Sequence, residues 1–585
     1  MGRQLAKRGQ ASELRAALGE SRAAFIGVGI VSAVLNVLLL AGSIYMMLIY
    51  DSVLPSHSTP TLFSLLILVS VVYVFQGVFD VARTRILMDI ATRLDLRMTS
   101  RVQSGISLVA LRGRTSGDGL TPMRDLDQIR SFLSSQGPAA LMDLPWILFF
   151  LAILYLLHFW LGFATTLGAI VLAVLTLITD RASRRASETL TSVAAARNAV
   201  AEGNRRHVEV VQALGMHRRL QSRWTSVNGA FLSSQQDLAK VSGTLGGISK
   251  VFRLFLQSLV LTVGALLVIS GDATAGVIFA SSILAARALA PVDQAIANWR
   301  GFIAARQGYQ RLNALLAQTP FDEVMRTELP PPSRELRVDH VAVVPPGSER
   351  VAVQQVSFAL KAGDALAVLG PSASGKSSLV RALVGVWPPA RGSVRLDGAT
   401  FDQWDPEVLG THIGYLPQNV ELLEGTVAEN ISRFSRAPDS ETIVAAARAA
   451  GIHEMIVALP DGYETRLGSA GGELSAGQRQ RIALARALHG DPFLVVLDEP
   501  NSNLDSEGEA ALDLAIRGVR QRGGIVLVVA HRPAALNPVN YVLFLRNGAM
   551  EQFGPRDEVL KKILAKQPAR QSGRTPPPLE KQEAS

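Results

Sequence analysis

The sequence has 585 residues, which is room for two or three domains. It contains no cysteine, so disulfides, thiol chemistry and cysteine-based metal sites are excluded. The net charge of +9 is explained by arginines beside hydrophobic runs, where lipid headgroups favour them, rather than by a nucleic-acid surface. Only 18% of residues are charged, and the long apolar runs lie before about residue 300. The composition therefore predicts a membrane half followed by a soluble half.

Six apolar segments predict membrane-spanning helices, because a bilayer core requires about 20 mostly apolar residues per helix. They are residues 23–50, 61–81, two segments within 138–179 separated by a turn at 158–162, 251–270 and 275–297. The first segment lacks a small-residue cleavage site and is too long for a signal-peptide core, so we expect it to be retained.

Lysine and arginine are distributed unevenly between these segments. Residues 1–22 and the long segments 83–137 and 180–250 are rich in arginine, whereas the links 51–60 and 271–275 contain neither residue. Cytoplasmic segments of membrane proteins carry the excess of positive charge. Both termini and both long segments are therefore predicted to be cytoplasmic.

The two long segments show helical spacing of apolar residues, with Ile86, Ile90 and Leu94 in the first. Val208, Val211 and Leu214 repeat this spacing in the second. We expect the membrane helices to continue into the cytoplasm through both segments.

Two arginines lie in or near predicted spans: Arg253 near an end and Arg287 inside the sixth. A charge at the bilayer centre costs about 2.5–3.5 kcal/mol on insertion scales. We expect both to reach the interface or to face the interior of the helix bundle, and contact with substrate is the alternative.

The sequence predicts five regions along the chain. They are a cytoplasmic N-terminal segment (1–22), a six-helix membrane domain (23–315), a linker with a proline-rich stretch (316–334), an α/β domain (335–561) and a disordered polar tail (562–585).

Residues 370–377, GPSASGKS, fit the phosphate-loop pattern GxxxxGK[ST]. They follow a predicted strand, 365–369, and open a predicted helix, whose N-terminus presents N–H groups to phosphate. Lys376 is expected to reach the β- and γ-phosphates of a nucleotide, and the Ser377 hydroxyl to bind Mg²⁺.

A second apolar strand ends in two carboxylates. Residues 493–499 read FLVVLDE. A phosphoryl-transfer site requires a carboxylate that holds Mg²⁺ and a base that activates water, and we assign these roles to Asp498 and Glu499.

Residues 474–478, LSAGQ, resemble the LSGGQ signature of ABC ATPases, with Ala476 in place of a glycine. Gln418 resembles the family's Q-loop glutamine, residues 502–505 the D-loop, and His531, after a predicted strand at 525–529, the switch histidine. The resemblance implies an α-helical transmembrane domain of the ABC exporter type with six helices, followed by an α/β P-loop nucleotide-binding domain.

The resemblance also implies a head-to-tail homodimer with two ATP sites. The predicted catalytic residues are Glu499, His531 and Gln418, and the predicted Mg²⁺ ligands are Ser377, Gln418 and Asp498. The predicted ATP-binding residues are Gly370, Pro371, Ser372, Ala373, Ser374, Gly375, Lys376, Ser377 and Ser378 of one subunit, with Ser475, Gly477 and Gln478 of the other. The family's usual aromatic residue for adenine is missing from 341–347, so we expect apolar contact with Val344 or Pro345.

Four strings in the membrane half resemble the permease/ATPase of type I secretion systems, in the branch that exports metalloproteases and RTX-type proteins. They are YDSVLPS (50–56), DLPW (143–146), ALGM (213–216) and RALAP (287–291). This resemblance implies an inner-membrane homodimer that exports an unfolded protein with a C-terminal signal. The implied partners are a membrane-fusion protein and a TolC-like outer-membrane channel.

Two alternatives stay open at this stage. An exporter of lipid, drug or peptide would have the same architecture. An ATP-gated channel or regulatory membrane ATPase would depart from the pattern at Glu499 or at the signature serine, and neither departure is seen.

Overall fold

The computed structural model describes residues 13–113, 119–319, 329–468, 474–530 and 536–566. These residues form two compact units. One contains the described residues before 320 apart from 111–113, and the other contains 111–113 and the described residues from 329 onwards.

The first unit is helical. Its helices are α1 (Glu13–Glu20), α2 (Arg22–Leu38), α3 (Leu40–Leu48), α4 (Thr59–Leu111), α5 (Thr121–Leu133), α6 (Gly137–Asp143), α7 (Trp146–Leu157), α8 (Phe159–Arg206), α9 (Val208–Ala213), α10 (His217–Ile269) and α11 (Ala275–Gln318). Within the described residues, five helices or joined helices are long and apolar enough to cross a membrane, and there are six if α6 and α7, bent by 41°, form one span. The predicted count of six agrees with this result.

The third and fourth spans are separated by a shorter break than the predicted turn at 158–162. His158 is extended, and its ring accepts a hydrogen bond from the backbone N–H of Trp160 at 3.3 Å. This contact caps α8, which therefore begins at Phe159.

The first span extends beyond its predicted end at residue 50. After α3 the chain forms a π-helix, Ile49–Val53, and a helical turn, Leu54–Ser56, before His57 takes a left-handed conformation. Asp51 falls in the predicted link 51–60. Instead it is accommodated in the helix because its carboxylate accepts hydrogen bonds from the start of α11.

The long helices α4, α8, α10 and α11 have 53, 48, 53 and 44 residues, so helix continues through much of both long segments. Both segments are nevertheless interrupted. In the first, α4 ends at Leu111 and α5 begins at Thr121. In the second, α8 ends at Arg206 and α10 begins at His217, with the short helix α9 between them. Val208 and Leu214, whose spacing predicted a continuous helix, are exposed at the two ends of α9.

The second unit is an α/β domain. Its strands are β1 (Glu335–Val343), β2 (Val353–Lys361), β3 (Ala365–Leu369), β4 (Arg391–Leu396), β5 (Ala399–Thr400), β6 (Ile413–Leu416), β7 (Gly425–Thr426), β8 (Arg466–Leu467), β9 (Leu494–Asp498), β10 (Ile525–Val529), β11 (Tyr541–Arg546) and β12 (Ala549–Pro555). Its helices are α12 (Lys376–Leu383), α13 (Pro406–His412), α14 (Val427–Ile431), α15 (Ser440–Ala449), α16 (His453–Val457), α17 (Ala476–Leu488), α18 (Ser506–Gln521) and α19 (Arg556–Lys566).

Ten of these strands form one sheet, in the order β5-β4-β1-β2-β12-β11-β3-β10-β9-β6. From β11 to β6 all neighbours are parallel. Side chains of β3 alternate between two apolar clusters: Ala365 and Ala367 belong to one, and Leu366 and Val368 to the other. The parallel strands are therefore buried on both faces, which explains their uninterrupted apolar sequences.

The C-terminal boundary differs from the sequence estimate. Helix α19 continues to Lys566, whereas the predicted polar tail began at 562. The rest of that predicted tail, 567–585, lies outside the described residues.

Candidate nucleotide-binding site

The parallel strands β3, β10, β9 and β6 are neighbours in the sheet, and their carboxyl ends meet at one edge. The phosphate loop follows β3, Asp498 ends β9 and Gln418 comes two residues after β6. Parallel α/β sheets bind ligands beyond the carboxyl ends of their strands. The sheet therefore brings together predicted residues that are as much as 129 positions apart (499 − 370). His531, which follows β10, lies outside the described residues.

The phosphate loop leads directly into α12, which begins at Lys376. Gly375 has φ +96°, and a Cβ there would lie 2.4 Å from the backbone oxygen of Ala352, so only glycine fits. The Lys376 ammonium donates hydrogen bonds to the carbonyl oxygens of Gly370 (2.8 Å) and Pro371 (2.9 Å). The lysine thus lies inside the loop's curve, beside the N-terminal N–H groups of the helix.

A turn between β11 and β12 supports this loop, although no local sequence pattern connects the two. The backbone N–H of Gly548 donates to the carbonyl of Ser374 at 3.2 Å, and the Gly548 carbonyl accepts from Gln354 at 2.7 Å. Gly548 has φ +79°, a left-handed conformation, and the glycine itself is its sign in the sequence. Its partner Ser374 is more than 170 residues away in sequence, beyond the range of local patterns.

Asp498 is 2% exposed, and its Oδ1 has no hydrogen-bond partner within the described structure. Burial raises the pKa of this carboxyl group, and the neighbouring Glu499 adds to that effect, while Ser377, Arg381 and Lys376 oppose it. Burial also lowers the pKa of Lys376, although both carboxylates favour its charged form. The site thus places a lysine and two carboxylates close together in a partly dehydrated environment.

These residues fit a divalent cation. A buried carboxylate oxygen without a partner requires a compensating charge or donor, and Ser377 supplies a second oxygen beside it. Within the part of the chain that the structure describes, no group of three or more His, Cys, Asp or Glu side chains could hold a metal ion by itself. A cation here would therefore require further oxygens from the nucleotide, as is usual for Mg²⁺.

Glu499 occupies a constrained backbone position at the end of β9. Its φ is +54°, a left-handed conformation that is uncommon for a residue with a side chain. Its N–H donates to the Val529 carbonyl of β10 at 3.2 Å, and its own carbonyl accepts from Ser502 at 3.3 Å. Such conformations persist where the surroundings enforce them, which is common at functional sites.

The signature residues lie in a different place from the phosphate loop. Ser475 caps α17: its hydroxyl accepts from the backbone of Gln478 at 3.2 Å, and the Gln478 side chain accepts from the backbone of Ser475 at 2.8 Å. A Cβ at Gly477 would lie 2.9 Å from the Asn503 carbonyl. All three signature residues line a groove that contains no phosphate-loop residue among its described walls.

Val344 and Pro345, expected to contact adenine, are half-buried in the chain that follows β1. The Pro345 carbonyl accepts a hydrogen bond from Ser348 at 3.1 Å and closes a turn. Their role toward adenine stays a prediction.

Residues 353–502 match the ABC transporter family, and residues 25–292 match the ABC transporter transmembrane region. The type I secretion system ATP-binding protein PrsD of Rhizobium meliloti (strain 1021) is 51% identical over 560 residues, covering 96% of each chain. The chain belongs to the type I secretion ABC transporters.

More distant relatives of this ABC transporter carry toxin-translocation names. The toxin RTX-I translocation ATP-binding protein of Actinobacillus pleuropneumoniae is 27% identical, covering 92% of this chain and 76% of the relative. The alpha-hemolysin translocation ATP-binding protein HlyB of Escherichia coli is 26% identical with the same two coverages. The predicted family is therefore confirmed.

A solved structure of a bacterial Atm1-family ABC exporter with ATP bound has a TM-score of 0.80 to this ABC transporter. The similarity covers 95% of this chain and 99% of the exporter chain, at 21% sequence identity, and it shows a shared fold. The predicted fold class is confirmed. The protein is a multi-pass membrane ATPase that couples nucleotide hydrolysis to transport.

Proposed function

We propose that this transporter exports an unfolded protein across a bacterial inner membrane as the ABC component of a type I secretion system. The observation that carries the proposal is the 51% identity to PrsD, which extends over 96% of both chains and so includes the membrane half. A match confined to the ATPase would leave the cargo class open, because the motifs of that unit concern only ATP.

In the proposed ATP site, Gly370, Pro371, Ser372, Ala373, Ser374, Gly375, Lys376, Ser377 and Ser378 surround the phosphates. The N–H groups at the start of α12 and the Lys376 ammonium complement their negative charge. Ser377, Asp498 and Gln418 would hold Mg²⁺, which supplies charge neutralisation at the β- and γ-phosphates. Phosphoryl transfer depends chiefly on such positioning and charge stabilisation.

Glu499 is the proposed general base. It would accept the proton of the attacking water as the γ-phosphoryl group leaves ADP. Its backbone is held by hydrogen bonds to β10 and to Ser502. A fixed backbone supports the proposal that the Glu499 side chain has a defined direction. His531 and Gln418 are proposed to orient the γ-phosphate and the water.

The proposed working form is a head-to-tail homodimer. Ser475, Gly477 and Gln478 line a groove without phosphate-loop residues, which supports a site completed by the signature of a second copy. Ser475 caps a 13-residue helix, whose N-terminus would face the partner's γ-phosphate.

The proposed location is the bacterial inner membrane, with both termini and the ATPase unit in the cytoplasm. The arginine-poor links and arginine-rich long segments support this orientation. The proposed partners are a membrane-fusion protein, a TolC-like outer-membrane channel and a secreted protein with an uncleaved C-terminal signal.

The test is a deletion strain complemented with the wild-type chain or with Lys376→Ala. Secreted and intracellular proteins are quantified by mass spectrometry, and lipid composition and drug efflux are measured in the same strains. We expect at least one specific protein to accumulate inside the deletion and Lys376→Ala strains and to be exported again with the wild type. An unchanged set of secreted proteins together with altered lipid or drug efflux would contradict the proposal.

A further inference from the structure

Polar and charged side chains from four membrane helices line a cavity of about 390 Å³ in the membrane unit. Asn36 belongs to α2, Asp80 and Arg83 to α4, Asp143 to α6 and Arg287 to α11. Arg287 lies inside the sixth predicted span, where an ionisable residue is costly and marks a substrate path or functional contact when it faces a cavity.

Most of these charges are compensated within the cavity wall. The Asp143 carboxylate accepts from the Asn36 side chain and from the Arg83 guanidinium, both at 2.9 Å. Arg83 also donates to Asp80 at 2.8 Å. Arg83 and Asp143 are both less than a tenth exposed. One guanidinium thus connects two carboxylates, and this network joins three helices.

Arg287 differs from this network. Its side chain is exposed, and among the described residues it has no hydrogen bond or ion pair. It lies 12 residues after the start of α11 (287 − 275), or about 18 Å along the helix, so it falls within a bilayer core of about 30 Å. Arg253, the other arginine noted in the sequence, is instead paired with Asp293.

As far as the described residues show, Arg287 is therefore the cation of this cavity without a hydrogen bond or ion pair, and the groups around it both donate and accept hydrogen bonds. Tyr73, Gln76 and Gln294 line the same cavity. Amide and hydroxyl side chains match the N–H and C=O groups of an extended peptide. A guanidinium matches a carboxylate in shape and charge.

We propose that this cavity binds an acidic segment of the transported polypeptide, with Arg287 pairing with a carboxylate of that segment. The inference rests on the proposed function for the existence of a polypeptide cargo. It adds a contact point in the membrane unit and a chemical preference for aspartate or glutamate over neutral or basic residues.

The experiment measures ATP hydrolysis by the full-length transporter in lipid nanodiscs with three blocked synthetic peptides. Each has about 15 residues, which at roughly 3.4 Å per residue can extend across a bilayer. The peptides share a Ser/Ala background and differ only in carrying three aspartates, three asparagines or three lysines. For the wild type, we expect half-maximal stimulation at an about tenfold lower concentration of the aspartate peptide, the order expected for one charge-assisted hydrogen-bonded pair.

Arg287→Gln should remove this preference, and Arg287→Lys should retain part of it. The matched control is Arg306→Gln, because Arg306 is also exposed, lies on α11 and is about 28 Å further along the helix. It should behave as the wild type. A melting temperature equal to that of the wild type would confirm that each of the three variants is folded. The comparison of the three peptides on the wild type requires no variant.

Equal responses to the aspartate and asparagine peptides, a preference for lysine, or no response to any peptide would overturn the proposal. So would an undiminished aspartate preference in Arg287→Gln, or stimulation by phosphatidylglycerol vesicles in place of peptide. These outcomes are separable from failure of the proposed function. If a secreted protein still depends on the chain in cells, only the cavity assignment fails.

Discussion

Gln480, on the signature helix α17, accepts a hydrogen bond from the backbone N–H of Asn503 at 3.1 Å. The same side chain donates to the carbonyl oxygens of Glu499, at 3.4 Å, and Pro500. Gln480 is 3% exposed. One buried amide thus connects the helix that Ser475 caps with the chain that carries the proposed general base.

Replacing this amide should affect both stability and hydrolysis. Gln480→Leu keeps approximate volume but removes the hydrogen bonds to the Asn503 N–H and the Pro500 carbonyl, at a cost of about 1–3 kcal/mol, while the Glu499 carbonyl keeps Ser502 as a donor. We expect a lower melting temperature and slower ATP hydrolysis in the purified protein. Gln521→Leu, at an exposed position, is the control and should leave both unchanged. Wild-type hydrolysis by Gln480→Leu would show that the connection has no role in catalysis.

Asp498→Asn should separate stability from cation binding. Burial raises the pKa of Asp498, so the folded protein binds its proton more tightly than the unfolded chain does. The ionised carboxylate therefore destabilises the nucleotide-free protein above that pKa, and this cost disappears as the pH falls through it. At neutral pH we expect Asp498→Asn to melt higher without nucleotide and to lose the stabilisation given by Mg²⁺ and ATP.

Thermal unfolding with and without Mg²⁺–ATP measures both effects for Asp498→Asn. EDTA with ATP is the control for the cation. Equal stabilisation of wild type and variant by Mg²⁺–ATP would contradict the assignment of Asp498 as a cation ligand.

Asp51 and Gly276 form a cap between distant parts of the membrane unit. The Asp51 carboxylate accepts from the Gly276 backbone at 2.8 Å and from the Thr274 hydroxyl at 2.7 Å. It thus caps the N-terminus of α11, and Asp51→Ala should lower stability by about 0.5–2 kcal/mol. Asp51→Asn should retain most of the stability that Asp51→Ala loses. The melting temperature of the detergent-solubilised protein measures both changes.

Gly276→Ala tests the same cap from the other side. A Cβ there would lie 2.7 Å from the Met47 carbonyl and 2.5 Å from the Asp51 carboxylate, so the contact cannot form without a shift. Gly246→Ala is the control, because nothing lies within 4 Å of its Cβ. We expect Gly276→Ala to melt lower and Gly246→Ala to melt at the wild-type temperature or slightly above it. The reverse order would show that Asp51 does not hold the start of α11.

The sequence predicts the nucleotide-binding unit well because its signals are local. The phosphate loop follows β3 directly, and the carboxylates Asp498 and Glu499 directly follow the apolar residues of β9. Hydrophobic runs likewise indicate the spans, since a bilayer requires each to be apolar along its own length.

Long-range contacts could not be predicted in the same way. Asp51 and Gly276 are 225 residues apart, and the Asn36–Asp143 contact joins residues 107 apart. A single chain's periodicity does not reveal which helices are neighbours. For that reason the sequence placed Asp51 in a loop and left Arg287 with two interpretations.

The most direct test of the account is export and hydrolysis by Glu499→Gln. The purified variant should bind ATP and form a nucleotide-dependent dimer but hydrolyse ATP at least about 100-fold more slowly, as expected when a general base is removed. In cells it should retain the same protein that the deletion strain retains. Normal hydrolysis by the variant would contradict the proposed general base, and normal export with hydrolysis abolished would contradict ATP-driven protein export.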